Sequence, residues 1–240
     1  MASNLNPTAS SLQALMQQYQ TITTNLSNAS TVGYKRSAGS FSRALDKQLA
    51  GQDAGNGVRQ HTAIDLTQGS LTATGNTLDL AIDGKGFFVI ETPTGEMYTR
   101  CGSVRVNPSG RLVDSAGNNV AGEQGAIVLP RSATSEDLSV GPDGSVSAGG
   151  QVLGRLRVVD FDDPAALDAV SGTMFRAPEG AAAKAADKFN VKQGYREQSN
   201  VNVVREMVDL ITVSRLYEAN CKSMQKSGDS MEQLLRVAMA

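Results

Sequence analysis

Two stretches of the chain carry apolar residues at alternating steps of three and four positions. The first stretch comprises Leu12, Leu15, Tyr19, Ile22 and Leu26. Steps of three and four keep side chains on one narrow stripe of an α-helix, as in coiled coils. The residues beside the stripe are Gln, Ser, Thr and Asn, with almost no charge. The pattern therefore predicts a helix of about 22 to 25 residues that needs a packing partner.

The second stretch keeps the same spacing near the C-terminal end, from Val203 to Ala238. Only Ser214 and Gly228 interrupt its apolar character. Further apolar residues lie beside this stripe and widen it, so we expect the helix to contact more than one neighbour. The spacing predicts one long helix over about residues 201–239.

Between the two helical stretches, apolar residues alternate with polar ones, as in TLDLAI at 77–82. Short runs such as FFVIE, SVRV and LRVVDF are separated by turn sequences such as DGKG, NPSG and PDGS. Short strands with frequent turn signals predict an all-β domain of hairpins. Within it, Asp163 and Pro164 predict one short helix over 162–170. Residues 179–194 are interpreted as a linker or a marginal helix.

These patterns divide the chain into four parts. We expect an N-terminal helix in 1–34, a linker or extended loop in 35–60, a β domain in 61–195 and a C-terminal helix in 196–240. The two helices then belong to one discontinuous helical core domain. The predicted fold class is therefore α+β, with long N- and C-terminal helices packed in coiled-coil fashion and an inserted, hairpin-rich all-β domain.

The composition argues against several classes of partner. A formal net charge of −2 and the lack of a dense Lys/Arg run give no basis for binding nucleic acid. No stretch approaches the ~18 apolar residues of a membrane span, so we expect no direct membrane span. The first twenty residues lack the basic start and apolar run of a secretory signal peptide. We therefore expect either a cytoplasmic location or export by a route that does not read such a signal.

A catalytic constellation is not visible in the sequence. His61 is the only histidine, it lies in a polar segment, and no Ser or Cys motif accompanies it. The GKG at 84–86 lacks the spacing of a phosphate-binding loop and fits a hairpin turn better. Asp160, Asp162 and Asp163 suggest a cation site, but no further carboxylate cluster supports it. We predict no enzymatic activity, no cofactor and no metal.

Four further residues have simple interpretations. Cys101 and Cys221 show no metal-binding spacing, and a disulfide between them is the less favoured alternative to two free thiols. Glu206 and Asp209 are expected to face away from the apolar stripe of the second helix, either towards solvent or in an ion pair between subunits.

Two amphipathic helices at opposite ends of one chain leave two ways of burying their stripes. They pair within the chain as an antiparallel hairpin, or they pair between subunits. Contacts between unlike surfaces that do not close into a ring generate an open helical polymer. Because Gln, Asn, Ser and Thr beside the stripe favour close packing on several sides, the polymer is the favoured interpretation.

Three separated motifs carry a resemblance to a known family. NLSNASTVGYK (25–35) is similar to the N-terminal signature of flagellar rod and hook proteins, and SNVNVVREMVDLITVSRLYEANCKSMQ (199–225) is similar to their C-terminal signature. The middle segment 78–122, which begins with LDLAIDGKGFF, resembles their β domain. The chain departs from the family pattern at Cys101, where Asn is usual.

The resemblance implies a structural subunit of the bacterial flagellar basal-body rod. Within the family, the length and the segments GAIVLP and SVGPDGSVSAGG are similar to the proximal-rod subunit, with the distal-rod subunit as the alternative. The implied partners are copies of the chain itself, other flagellar rod proteins and the flagellar type III export apparatus. The implied location is the periplasmic rod, which transmits torque, reached without a cleaved signal peptide.

The resemblance also implies which residues contact neighbouring subunits. Asn28 and Thr31 can end the first helix and Gly33 supplies a permissive backbone, but a helix end alone does not explain Asn25. We therefore favour packing of these residues against neighbours. The predicted assembly interface comprises Leu12, Leu15, Tyr19, Ile22, Asn25, Leu26, Asn28, Thr31, Gly33, Tyr34, Asn200, Val203, Met207, Leu210, Tyr217, Asn220, Met224, Met231 and Leu235.

A function of another class stays open at this point. A β module that binds peptidoglycan and dimerises through a coiled coil would also combine a β domain with amphipathic helices. Such a module needs a groove lined with aromatic side chains. The aromatic residues available for it are Phe87, Phe88, Tyr98, Phe161 and Phe175.

Overall fold

The structure is a computed structural model that describes residues 6–38, 63–131, 133–178 and 180–238. The chain forms two compact units. The described parts of the first, the helical unit, are residues 6–27, 37, 38, 63 and 202–238. The second, the β unit, is built from residues 28–36 and from the described residues within 64–201. His61 and residues 39–60 of the predicted linker lie outside the described residues.

The helical unit contains two α-helices, α1 (Asn6–Ser27) and α2 (Val203–Ala238), which pack against each other. Asn202 caps α2, because its Oδ1 accepts a hydrogen bond from the Arg205 amide at 3.1 Å. Its carbonyl oxygen accepts the first intrahelical bond, from Glu206 N at 3.0 Å.

The predicted fold class, α+β with terminal helices packed in coiled-coil fashion, is wrong. The described residues form nineteen β-strands but only two α-helices, so the fold is mostly β. A coiled coil buries its apolar stripe, yet Val203, Met207 and Tyr217 of the predicted stripe are 38–48% exposed. Among the described side chains of α2, the fully buried ones are Glu206 and Val213, which lie outside the stripe, whereas the stripe residues Leu210, Cys221 and Met224 are half-buried. The described part of the apolar stripe is therefore only partly buried.

The strands are short, as the dense turn signals predict. In chain order they are β1 (Ser37–Ala38), β2 (Ala63–Ile64), β3 (Leu71–Ala73), β4 (Leu80–Gly84), β5 (Phe87–Thr92), β6 (Gly95–Thr99), β7 (Arg105–Val106), β8 (Leu112–Val113), β9 (Asn119–Gly122), β10 (Gly125–Ala126), β11 (Leu138–Val140), β12 (Ser145–Ala148), β13 (Gln151–Arg155), β14 (Val158–Asp160), β15 (Asp168–Ser171), β16 (Met174–Arg176), β17 (Lys184–Ala185), β18 (Phe189–Gln193) and β19 (Tyr195–Glu197). Every described pair in the β unit is antiparallel. Consecutive strands such as β5 with β6 and β11 with β12 form hairpins, whereas pairs such as β18 with β4 join distant parts of the chain.

The largest sheet of the β unit has ten strands. Its main path runs β15-β16-β6-β5-β9-β8-β7, with β10 on β9, β14 on β5 and β17 on β14. A second sheet has the order β11-β12-β13, and β18 pairs with β4 and β19 with β3. A further pair, β1 with β2, forms its own small sheet.

Strand β5 supplies both apolar clusters of the β unit. Phe88 and Ile90 belong to one cluster, with Leu80, Ile82 and Leu156 among its fully buried members. Phe87 and Val89 belong to the other, which contains Tyr98, Phe161 and Phe175. Because successive side chains of a strand point to opposite faces, one central strand can pack against a cluster on each face.

The second cluster is held by aromatic edge-to-face contacts. The Phe87 ring lies 6.2 Å from Phe161 and 5.8 Å from Phe175, and Tyr98 lies 4.8 Å from Phe161, between ring centroids. With Phe88 in the first cluster, all five aromatic residues considered for a sugar-binding groove are buried, at 1–6% exposure. They therefore build the core of the β unit.

Two local expectations are wrong. The short helix predicted over 162–170 is only a single 3₁₀ turn, Pro164–Ala166, capped by Asp163 as expected. The following residues, Asp168–Ser171, join the large sheet by pairing with β16, and this pairing overrides the helical pattern. The segment 179–194, interpreted as a linker or marginal helix, contributes β17 and β18, and β18 pairs along its whole length with β4.

Candidate assembly surface

Helix α1 exposes a surface without charge. Its sequence from Asn6 to Ser27 contains no acidic or basic residue. Met16 and Tyr19 are 52% and 44% exposed on its outer side, whereas Ile22 is buried. A surface of this kind can be covered by another protein without the cost of removing water from an ion.

The hydroxyl groups near the end of α1 are already hydrogen-bonded within the helix. Thr21 Oγ1 donates to the Gln17 carbonyl at 3.0 Å, and Thr23 Oγ1 donates to the Tyr19 carbonyl at 2.9 Å. Thr24 Oγ1 donates to the Gln20 carbonyl at 2.8 Å. Because these donors have partners, covering them would leave no unsatisfied hydroxyl proton.

Helix α2 exposes the largest set of apolar side chains in the helical unit. Its exposed apolar residues are Val203, Val204, Met207, Val208, Ile211, Leu216 and Tyr217. Val204 is 72% exposed, and Val208 and Ile211 follow it at steps of four and three, so these three lie on one face of the helix. An apolar face this open is typical of a surface that contacts another protein.

A buried polar group joins α1, α2 and β1 within the helical unit. Asn25 is fully buried, and its Nδ2 donates to the Ser37 carbonyl at 2.8 Å and to Glu206 Oε2 at 3.2 Å. The Ser37 amide donates to Asn25 Oδ1 at 2.9 Å. Glu206 is also fully buried, so the expectation that it faces solvent is wrong. The Asn25 amide supplies the hydrogen bond that makes burial of this carboxylate tolerable.

The segment that follows α1 belongs to the β unit, and we call it the strap (Asn28–Arg36). It begins with a turn in which the Thr31 amide donates to the Asn28 carbonyl at 3.0 Å. The Thr31 hydroxyl lies 3.1 Å from Asn28 Oδ1. These bonds form the helix end that the Asn and Thr residues predict.

Gly33 of the strap is required for two separate reasons. Its φ of 72° lies in the left-handed region that side chains disfavour. A Cβ at this position would also lie 2.5 Å from the backbone nitrogen of Cys101, closer than real contacts allow. Cys101 itself is held in place, because its amide donates to Thr99 Oγ1 at 3.0 Å. The strap therefore passes directly against the turn that follows β6.

A buried ion cluster lies beneath the strap. Lys35 Nζ donates to Glu197 Oε1 at 2.6 Å and to the Thr67 carbonyl at 2.6 Å. Arg100 lies on the other side, with NH1 3.5 Å from Glu197 Oε2 and its Cζ 5.2 Å from the Phe87 ring centre. The three charged side chains are at most 6% exposed.

Burial and attraction act in opposite directions on the two cations of this cluster. Burial lowers the pKa of Lys35, and the attraction of Glu197 partly opposes that change. The pKa of Arg100 is lowered by burial and is raised in part by Glu197 as well. Glu197 is therefore the group that makes two buried cations compatible with the fold.

Asn200 ties the same segments together without charge. Its Oδ1 accepts a hydrogen bond from the Arg36 amide at 2.7 Å, and its Nδ2 donates to the carbonyls of Asp65 at 2.8 Å and Thr67 at 3.1 Å. The Thr67 carbonyl thus accepts from both Lys35 and Asn200. Of the predicted interface residues, Asn200 is one whose role inside the chain is explicit.

The predicted interface residues with described side chains fall into three groups by burial. Buried members are Ile22, Asn25, Gly33 and Tyr34, and exposed members are Tyr19, Val203, Met207 and Tyr217. Half-buried members are Leu12, Leu15, Leu26, Asn28, Thr31, Asn200, Leu210, Asn220 and Met224. Met231 and Leu235 lie in α2, but their side chains are outside the described residues. The set thus lies on the two helices and the strap, with Asn200 in the segment before α2, and it mixes inward and outward positions.

The other candidates from the sequence form no site in the described residues. Cys101 and Cys221 are free thiols, and burial raises the pKa of Cys101. No group of three or more potential metal ligands occurs in the described ranges, so Asp160, Asp162 and Asp163 do not gather one there. Neither helix, over its described residues, is long and apolar enough to cross a membrane.

Comparison with known proteins identifies the family. Residues 81–148 match the flagellar hook protein FlgE/F/G D1 domain, and residues 192–237 match the flagellar basal body rod FlgEFG protein C-terminal region. The flagellar basal-body rod protein FlgG of Caulobacter vibrioides is 33% identical over 95% of this chain and 96% of its own. The chain belongs to the flagellar basal-body rod protein family.

Rod proteins of both names are similar to this chain. FlgF of Caulobacter vibrioides is 32% identical over 90% of this chain and 89% of its own. FlgF of Mesorhizobium japonicum is 30% identical over 98% of both chains. Since FlgF and FlgG relatives are equally similar, identity alone does not distinguish the two kinds of rod protein for this family member.

The sequence pattern did not predict that charged residues are buried inside this rod-family chain. Glu197, Arg100 and Glu206 are buried, although charged side chains are rarely fully buried unless they are paired. The steps of three and four place Glu206 outside the apolar stripe, and that spacing alone predicts exposure. A three-residue strand such as β19 is too short for alternation to tell which side faces inward.

Proposed function

We propose that the chain is a structural subunit of the flagellar basal-body rod that assembles through α1 and α2. The observation that carries this proposal is the open apolar face of α2 in a chain whose relatives are named as basal-body rod proteins. Covering each large apolar side chain contributes roughly 1.5–3 kcal/mol, so a few of them suffice for a specific contact. The relatives are named as rod proteins, and no enzymatic role is part of the proposal.

The uncharged outer side of α1 supports the same role. Met16 and Tyr19 offer apolar surface there, and the threonine hydroxyls are bonded within the helix. Covering this side therefore costs neither ion dehydration nor unsatisfied hydroxyl groups. Contacts between such unlike surfaces on successive subunits build an open helical assembly.

The residues of the predicted assembly interface take two roles in this proposal. Exposed and half-buried members, such as Tyr19, Leu210 and Tyr217, contact neighbouring subunits directly. Buried members, such as Ile22 and Asn25, keep the helices in the arrangement that presents those contacts. The proposed partners are copies of the chain and other flagellar rod proteins.

The finer parts of the proposal rest on the sequence motifs. We place the subunit in the proximal rod, with the distal rod as the alternative, because GAIVLP and SVGPDGSVSAGG are similar to the proximal-rod member. The proposed location is the periplasmic part of the basal body, where the rod transmits torque. Export by the flagellar type III apparatus, without a cleaved signal peptide, completes the proposal.

A charged residue on the open face of α2 tests the role of the helices. Val208→Asp places a carboxylate at a 57% exposed position, so the free subunit keeps its fold, but a neighbour would have to bury that charge. We expect loss of rods in basal bodies isolated from cells that carry only this variant, seen by electron microscopy. Circular dichroism of the purified variant checks that it is folded.

Val152→Asp is the matched control, because Val152 is 70% exposed on β13 of the β unit. This variant should leave rods and motility intact. Normal rods from cells with Val208→Asp would contradict assembly through α2, and loss of rods with both variants would contradict the special role of the helices.

A further inference from the structure

The strap is held to the β unit in an unusual way. Most segments of this unit lie in antiparallel ladders, but no strap residue belongs to a strand. Two direct backbone bonds reach it from the rest of the unit: Gly33 N donates to the Glu197 carbonyl at 2.8 Å, and Asp65 N donates to the Arg36 carbonyl at 2.8 Å. The side chains of Lys35 and Asn200 form further hydrogen bonds across this junction.

Glu197 is the centre of these bonds. Its backbone carbonyl holds Gly33, and its Oε1 accepts from both Lys35 Nζ at 2.6 Å and the Gly69 amide at 3.0 Å. Its Oε2 faces Arg100 at 3.5 Å. One fully buried carboxylate therefore joins the strap, the loop before β3 and the turn after β6.

We propose that Glu197 and Asn200 form a lock that closes the strap onto the β unit and that can open while the sheets stay folded. The strap is the part of the β unit that directly follows α1, and residues 197–200 end two residues before Asn202, the cap of α2. The lock thus sets whether the chain segments next to both helices are ordered. This inference does not depend on the proposed rod function, since it concerns one chain alone.

Removing the charge of Glu197 and removing the charge of Lys35 should have different effects on the lock. Lys35 and Arg100 are both cations, and Glu197 is the carboxylate in direct contact with them, while Asp65 and Asp160 act on them only at longer range. Removing the Glu197 charge leaves two buried cations facing each other. Removing the Lys35 charge leaves a balanced pair of Arg100 and Glu197. Breaking a buried pair is costly mainly because of the charge left behind, so the two changes should differ strongly.

Hydrogen exchange of the purified full chain, read by mass spectrometry, tests the lock. In Glu197→Gln we expect amides of residues 28–36 to exchange at least about tenfold faster than in the wild type, through local opening. Amides of β5 should keep their wild-type protection. Lys35→Met should accelerate the strap less than about threefold, because it leaves no unpaired charge behind.

The double variant and a surface control sharpen the result. Adding Lys35→Met to Glu197→Gln removes one of the two unpaired cations, so the strap should exchange more slowly than in Glu197→Gln alone. Asp162→Asn breaks the exposed pair of Asp162 and Lys184 and should leave strap exchange unchanged.

Several outcomes would overturn the lock. Wild-type exchange of the strap in Glu197→Gln would show that the carboxylate does not hold it. Equal acceleration by Lys35→Met and Glu197→Gln would contradict the charge argument. Loss of β5 protection together with that of the strap, or failure of Glu197→Gln to fold, would show that the strap cannot open separately from the sheets.

Discussion

The β unit and the helical unit differ in how completely they bury their apolar side chains. In the β unit, Leu80, Ile82 and Val146 are fully buried, and two clusters share the central strand β5. In the helical unit, Ile22 and Val213 are buried, while α2 leaves most of its described apolar residues open. The β unit completes its core within one chain, whereas the described part of the helical unit leaves apolar surface exposed.

This difference indicates how one chain can combine a unit that folds by itself with a unit that is suited to assembly. A unit whose core is complete gains little from contact with a neighbour. A unit with an open apolar face gains stability only when that face is covered, so its order and its assembly are linked by mass action. The same substitution should therefore have different effects in the two units.

The largest expected effect compares one substitution at two positions. Val146→Ala removes fully buried methyl groups in the β unit and should lower the free energy of unfolding by about 1.5–3 kcal/mol. Val208→Ala, at a 57% exposed position on α2, should change it by less than about 0.5 kcal/mol, because Ala also favours the helix. Scanning calorimetry of both variants measures the difference. Equal destabilisation would mean that α2 is already covered in the free subunit.

A smaller difference between paired positions is expected when the same substitution is made at two glycines with the same backbone angle. Gly33 and Gly75 have φ of 72° and 71°, but a Cβ at Gly75 would meet no atom within 4 Å. Gly75→Ala should therefore cost only the left-handed strain of about 1–2 kcal/mol. Gly33→Ala adds the clash with Cys101 and should cost about 2–4 kcal/mol.

Urea unfolding of both glycine variants gives the two values. Similar losses of stability would show that the strap moves away from Cys101 without cost. The strap would then belong to the β unit less firmly than its contacts indicate.

The smallest effect is expected at the surface of the β unit. Hydrogen bonds from Ser145 and Arg155 hold the pKa of Asp143 well below its usual range. Between that lowered pKa and the ordinary value near 4, the unfolded chain binds a proton that the folded chain does not. Stability is therefore fully present above about pH 4 and falls as the pH drops further.

Asp143→Asn removes this dependence, and thermal unfolding between about pH 2.5 and 5 should show a slightly flatter curve than that of the wild type. The change should be small, because the side chain of Asp143 is half exposed and solvent weakens its pairing. An unchanged curve would show that Asp143 is equally bonded in the unfolded chain.

The sequence predicts segments better than it predicts their packing. Steps of three and four locate both helical segments, and turn residues such as Gly110 and Gly144 mark the hairpins. Which face of a helix is buried depends on its partner, and here a carboxylate, Glu206, takes an inward position beside Asn25. Spacing predicts that position as exposed, and so the coiled-coil arrangement was predicted in error.

Long-range pairing explains the other differences. The Asp163–Pro164 start predicts a helix that continues through residues 168–170, but pairing with β16 places them in a strand. Of the two residues that form the lock, Asn200 is in the interface predicted from the sequence, whereas Glu197 is not. Glu197, Lys35 and Arg100 are far apart in the chain, and only the fold brings their charges together.

The absence of acidic and basic residues from α1 has a consequence for how its contacts respond to the surrounding solution. Dissolved ions weaken attractions between charges within a Debye length of about 8–10 Å at ordinary ionic strength, but they leave contacts between neutral surfaces intact. The strength of any contact that α1 makes through Met16, Tyr19 and the neighbouring neutral side chains should therefore depend little on salt concentration. A contact between neutral surfaces keeps its strength in a compartment whose ionic composition changes with that of the environment.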